Sequence, residues 1–170
     1  MWISFIIISL VGTTCHFLYD WTNHNKFIGL FAAVNESTWE HIKIALTPTL
    51  LWGLIDGFLY GANPNYFLAK SLSLLIMIIV IPILFYLYSY LLKKHILIID
   101  ILIFYIAIFL GQFFFYFILE SPPISYMLNY LGTVLLFVIF GFYMIATLLP
   151  LKNFLFKDPI TKKYGVKAHK

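Results

Sequence analysis

Five apolar stretches, each long enough to cross a lipid bilayer, constrain this chain more than any other feature. They run over about residues 2–20, 37–61, 66–92, 96–119 and 125–149. An α-helix rises ~1.5 Å per residue and a bilayer's hydrocarbon core is ~30 Å thick, so about 20 apolar residues suffice to span it. Backbone polar groups in lipid must be satisfied internally, which an isolated apolar segment achieves only as a helix. The pattern predicts an all-α transmembrane fold, a five-helix polytopic bundle. Composition closes the soluble alternative. Of 170 residues, 62% are hydrophobic and 11% charged, more apolar surface than a soluble domain of this size can cover. The expected organisation is a transmembrane helical domain over 1–150 and a basic interfacial tail over 151–170.

Helix breakers mark the joints. Ala62-Asn63-Pro64-Asn65 is a tight turn, Lys93-Lys94-His95 a basic one, and Glu120-Ser121-Pro122-Pro123 stops the fourth helix. Pro48 and Pro82 fall inside helices and should bend them, with Thr47 and Thr49 placed to satisfy backbone groups freed by Pro48. Ser37-Thr38-Trp39-Glu40 is an S-x-x-E capping box, which starts the second helix at Ser37, with Asn35 as an alternative cap. Phe27 to Val34 is apolar but too short to span, so it is an interfacial or re-entrant piece between the first two helices, or an extension packed under the bundle. The first stretch lacks a basic leader, and Gly12-Thr13-Thr14-Cys15 is a poor cleavage site, so it reads as a retained helix.

Charge fixes an orientation. Six of the eleven lysines fall between Lys152 and Lys170. With five spans, this tail, Lys93-Lys94 and the segment from Lys26 to Lys43 share one side. The positive-inside rule makes that side cytoplasmic and puts the N-terminus outside. The tail is expected to contact anionic lipid headgroups rather than nucleic acid. The chain has no Arg, hence no bidentate phosphate clamp. Cys15, the single cysteine, cannot form an intrachain disulfide and reads as inert packing.

Two features inside the spans call for partners. Asp56 and Lys70 lie about equally far from the 62–65 turn on antiparallel neighbours, and a lone charge in lipid is costly, so they are expected to form a structural ion pair. Gly53, Gly57 and Gly61 make a G-x-x-x-G stripe, which suits close helix packing within the chain or in a homo-oligomer.

Most of the remaining acids and histidines gather at the tail-side face. His16 and Asp20 end the first helix, and Asn35, Glu36, Glu40 and His41 surround the start of the second. These six residues are the expected polar pocket. Three readings follow. The pocket binds a polar ligand, lipid headgroup or ion in a binding or transport-accessory role. Alternatively His16, Asp20, Glu36 and His41 hold a divalent metal that activates water against a lipid, which requires the two histidines to approach within ~5 Å and ligands to close to ~2.0–2.2 Å. Or the acids serve as caps and ion pairs in a purely structural or partner-binding module. No nucleotide loop, nucleophile elbow or zinc signature is present, and the sequence names no reaction.

At these residues a resemblance enters. His16-Phe17-Leu18-Tyr19-Asp20-Trp21, the stretch Leu30-Phe31-Ala32-Ala33-Val34-Asn35-Glu36-Ser37-Thr38-Trp39-Glu40-His41, and Phe156-Lys157-Asp158-Pro159-Ile160-Thr161-Lys162-Lys163-Tyr164-Gly165 resemble a family of small multi-pass prokaryotic membrane proteins of unknown function. The V-N-E-S-x-W-E-H string carries most of the likeness. It implies a prokaryotic cell membrane and no mechanism. The Asn35, Trp39 and His41 pattern is also similar to the first core helix of the seven-helix lipid-hydrolase and progestin-receptor-like superfamily. That group needs a later H-x-x-x-H helix, whereas only His95 and His169 follow here. No catalytic roles are carried over.

Overall fold

A computed structural model describes residues 1–168. Its five long helices are Trp2–Trp21 (α1), Thr38–Tyr60 (α2), Tyr66–Leu92 (α3), Leu97–Leu119 (α4) and Tyr126–Leu148 (α5). Each is long and apolar enough to cross a membrane, and the chain is a multi-pass membrane protein of all-α fold. Large apolar side chains such as Ile3, Leu54 and Phe58 point outward, Phe58 with 90% of its surface free, as lipid-facing residues do.

The bundle has two distinct ends. One carries residue 1, the Gly61–Asn65 turn and the connection from Glu120 to Ser125; we call it the turn end. The other carries residues 22–37, the 93–96 turn and the C-terminal tail; we call it the tail end. Helix α3 is central and packs on α2, α4 and α5, while α1 packs on α2 and α4. Ile8, Leu46, Leu74, Ala107 and Ile108 meet in the interior with almost no exposed surface.

Asparagines tie the turn end together. The Asn65 amide donates to the carbonyls of Ile118 and Ser121, both at 3.0 Å, and its oxygen accepts from the Ile124 N–H at 2.8 Å. Asn129 of α5 accepts the Leu68 N–H at 3.2 Å, satisfying a free donor in the first turn of α3 from a different helix.

Away from the G-x-x-x-G stripe, backbone approach between helices is tightest at two glycines. A Cβ on Gly132 would sit 2.6 Å from the Leu68 nitrogen, so α5 meets α3 main chain to main chain. A Cβ on Gly12 would lie 2.7 Å from the Ile44 carbonyl oxygen. Pro48 has no N–H to give that carbonyl, so α1 covers the one acceptor the proline leaves open. Thr47 and Thr49 bond instead to the carbonyls of Lys43 and Ala45 that flank it. In the stripe itself, Gly53 and Gly57 face the Lys70 and Tyr66 side chains of α3, and Tyr66 donates its hydroxyl to the Gly53 carbonyl at 2.9 Å. Lys70 donates to Asp56, both buried, with its ammonium 4.3 Å from the centre of the Phe115 ring.

The capping box is a correction. Ser37 does occupy the N-cap of α2, but its side chain makes no cap hydrogen bond. Glu40 turns inward because Lys43, one turn along α2, is buried and needs a counter-charge. Asn35 takes the local role instead, accepting the Ser37 N–H at 2.8 Å.

Candidate functional site

The short apolar piece before α2 folds into the tail end of the bundle. It contains a 3₁₀ turn, Ile28–Leu30, and Ala33 donates its N–H to the Cys15 carbonyl of α1 at 3.1 Å. Three successive carbonyls of this piece, which has no sheet or long helix to satisfy them, are held by side chains. Lys43 donates to Gly29 at 2.9 Å and Tyr143 to Leu30 at 2.9 Å, while Thr47 shares its one hydroxyl hydrogen between the carbonyls of Phe31 and Lys43, both at 2.9 Å. Glu40 accepts the Val34 N–H at 3.0 Å and pairs with Lys43 at 2.6 Å. A fully buried lysine, carboxylate, threonine and tyrosine thus clamp one loop. Glu40 belongs to this clamp and not to the open pocket.

Beyond the clamp the chain turns outward and presents Glu36. His16 Nε2 lies 3.9 Å from one of its carboxylate oxygens and His41 Nε2 lies 3.8 Å from the other. The two imidazole rings are 5.8 Å apart, centre to centre. Glu36 is about half exposed, 47% at the side chain, while the two histidines are about 28–29% exposed. The nitrogen facing Glu36 is set by the other one. His41 Nδ1 is 3.0 Å from the Ser37 carbonyl oxygen, which can only accept, so Nδ1 carries a hydrogen. In neutral His41 the Nε2 lone pair then faces a carboxylate, which is repulsive. The contact becomes attractive when Nε2 is protonated or when a positively charged group lies between ring and carboxylate.

Asp20 and Asn35 sit beside this set. Asp20 pairs with His24 at 3.4 Å. Asp20, His24, Asn35 and Glu36, with Asp158, Ile160 and Ala168 from the tail, line an open cleft of about 390 Å³. The sequence-predicted residues therefore divide. His16, Glu36 and His41 form one cluster, Asp20 and Asn35 line the adjoining cleft, and Glu40 is buried behind them. Among the described residues no three His, Cys, Asp or Glu side chains form a group that could hold a metal ion.

The tail is the element whose placement sequence reasoning missed. Phe156 stacks on Trp39 with ring centres 4.9 Å apart, and the backbone N–H of Trp39 donates to the Leu155 carbonyl at 2.8 Å. The Asn35 amide donates to the Gly165 carbonyl at 3.0 Å, and the Glu36 N–H to Asp158 at 3.3 Å. Asp158 is itself buried and accepts the N–H groups of Ile160 and Thr161, which folds the tail into a hairpin closed by the Lys157–Tyr164 bridge. Lys152, Lys157, Lys162, Lys163 and Lys167 stay exposed. Lys170, counted with them in the sequence, lies outside the described residues. The signal for docking was present in Phe156 and Asp158, an aromatic and an acid amid lysines.

The two most distinctive strings of the sequence, Val34 to His41 and Phe156 to Gly165, are thus in direct contact across the site. No curated protein and no solved structure matches the chain. A family model matches residues 1–166, nearly the whole length, and the chain belongs to that family, a family of unknown function (DUF6512).

Proposed function

We propose that this protein binds an amine-bearing polar ligand, a phosphoethanolamine-type lipid headgroup, in the cleft at the tail end. The observation that carries the reading is the position of Glu36, a half-exposed carboxylate between two imidazole nitrogens and open to the cleft. A primary ammonium donates hydrogen bonds to a carboxylate and offsets the lone-pair repulsion, as a proton would. Asp20, beside Glu36, and Asp158, on the facing tail, add negative character to the cleft. Exposed Lys157, Lys162, Lys163 and Lys167 stand on the tail that forms the opposite wall, and lysines attract phosphate. An acidic cleft with exposed lysines on the adjoining tail suits the two charges of a zwitterionic headgroup, ammonium at Glu36 and phosphate towards the tail.

The same reading places the protein in a prokaryotic cell membrane, with the tail end cytoplasmic and the N-terminus outside, so the cleft opens at the inner leaflet. The lysine distribution supports that orientation. The piece between α1 and α2 acts as a re-entrant floor to the site.

The test is native mass spectrometry of the purified protein in nanodiscs of phosphatidylethanolamine, phosphatidylcholine or phosphatidylglycerol. Retention of phosphatidylethanolamine over the other two is expected, because a quaternary ammonium has no N–H to give Glu36 and phosphatidylglycerol has no cation. Glu36→Gln should abolish the preference and Lys162→Ala should weaken it. Equal retention of all three lipids by the unmodified protein would overturn the proposal.

A further inference from the structure

A second polar set lies deep in the bundle, closer to the turn end. Its reference level is the Asp56–Lys70 pair against Phe115, where α2, α3 and α4 meet. One helical turn towards the bundle centre from each of these residues stands a further polar or aromatic side chain. Trp52 is four residues before Asp56, Ser73 is three after Lys70, and Gln112 is three before Phe115. Residues three or four apart share a helix face, so the three point into the same interior as the pair above them. Local packing supports the register, since a Cβ on Gly111 would lie 3.0 Å from the Ser73 carbonyl oxygen.

All three carry buried polar atoms that bond to no described residue. These are Trp52 Nε1, Ser73 Oγ, and both the Nε2 and the Oε1 of Gln112. Ser73 and Gln112 have no exposed surface at all. A buried polar atom left unpaired costs about 1–3 kcal/mol, and an amide with both ends unpaired costs more. Four such atoms on three adjoining helices at one depth are not explained by packing. Fully apolar residues of similar size would serve a dry core better.

We propose that Trp52, Ser73 and Gln112 form an internal water-binding layer beneath the Asp56–Lys70 pair. The group is neutral and contains an indole N–H, the two N–H donors of an amide, an amide acceptor, and a hydroxyl that does either. A charged ligand has no counter-charge here, because Asp56 and Lys70 satisfy each other. Water donates and accepts, and fits a set of mixed sign. Met77, one turn beyond Ser73 and fully buried, flanks the layer and lies against Gly111.

The test is X-ray radiolytic footprinting of the full chain in detergent, read by mass spectrometry. Hydroxyl radicals formed from bound water oxidise side chains beside it, and Met77 is the reporter. Oxidation of Met77 is expected in the unmodified protein, although no bulk water reaches it. Gln112→Leu should abolish it and Ser73→Ala should reduce it. Either variant suffices should the other not fold. An unoxidised Met77 in the unmodified protein, or oxidation unchanged in a folded variant, would overturn the proposal.

Discussion

Phe156 stacks on Trp39 at 4.9 Å with 23° between the ring planes, joining the C-terminal tail to the first turn of α2 across more than a hundred residues of chain. Phe156 is 2% exposed and Trp39 3%, so this contact anchors the tail. Removing a buried Phe side chain costs about 3–5 kcal/mol in a core. Here the loss is expected to fall mainly on a local opening, because α1 to α5 also pack directly on one another. Phe156→Ala should therefore release residues 151–168 without unfolding the helices. Limited trypsin digestion is expected to cut at Lys157, Lys162 and Lys163 at least tenfold faster in the variant, with far-ultraviolet circular dichroism unchanged. Equal cutting rates would show that the tail is not held by this contact.

The two buried ion pairs should respond differently to double substitution. Deleting one partner of a buried pair leaves an uncompensated charge and costs about 3–5 kcal/mol, whereas replacing both by apolar residues is often neutral or stabilising. Asp56 and Lys70 mainly satisfy each other, so Asp56→Leu and Lys70→Leu should each lower the melting temperature and the double variant should recover most of the loss. Glu40 and Lys43 also hold Val34 and Gly29. Their double replacement by Gln and Met leaves the loop carbonyl of Gly29 unpaired, and recovery there should be partial at best. Thermal melts of the four single and two double variants in one detergent make the comparison. Full recovery at Glu40 and Lys43 would show that the Gly29 carbonyl does not need Lys43.

How far the sequence could be read follows from which forces are local. Helix existence and ends were legible from apolar length and from Pro and Asn punctuation, and α3 spans Tyr66–Leu92 as the residues indicate. The shared depth of His16, Glu36 and His41 was legible; that their side chains come together was not, since it depends on how α1 packs on α2. Lys43 was not. It stands amid charged residues at a helix start and reads as one more basic surface group, and only the tertiary fold shows that it carries no exposed surface. The S-x-x-E string failed for the same reason: Glu40 turns to Lys43 and the Val34 N–H, and Asn35 takes the Ser37 N–H that a capping box would give it. The docking of the tail was not legible because lysine count dominates its composition, whereas docking depends on one Phe, one Asp and two backbone carbonyls. Partner choice over long chain separations leaves no periodic trace.

Orientation gives a direct measurement. In a Cys15→Ala background, Ala62→Cys and Lys94→Cys each place a thiol at an exposed turn, one at each end of the bundle. A membrane-impermeant maleimide added to intact cells should label residue 62 and leave residue 94 unlabelled until the cells are opened. Labelling of both from outside, or of 94 alone, would reverse or break the proposed topology and move the Glu36 cleft to the other leaflet.

The glycines separate close packing from mere composition. A methyl group on Gly132 would drive into the backbone of Leu68, which cannot shift without moving α3. On Gly53 it would meet only Lys70 side-chain atoms at 3.8 Å and beyond, ordinary contact, and on Gly141 nothing within 4 Å. Alanine is favoured over glycine in a helix interior by about 1 kcal/mol, and overpacking a tight contact costs about 1–3 kcal/mol. Gly132→Ala should therefore destabilise, Gly141→Ala should stabilise slightly, and Gly53→Ala should change little. The order of melting temperatures is expected to be Gly141→Ala, then Gly53→Ala and the unmodified protein together, then Gly132→Ala. A large loss at Gly53→Ala would instead point to a partner chain seated on the G-x-x-x-G stripe. The same melts repeated over a range of protein concentration would then expose a homo-oligomer, since only an intermolecular contact makes stability depend on concentration.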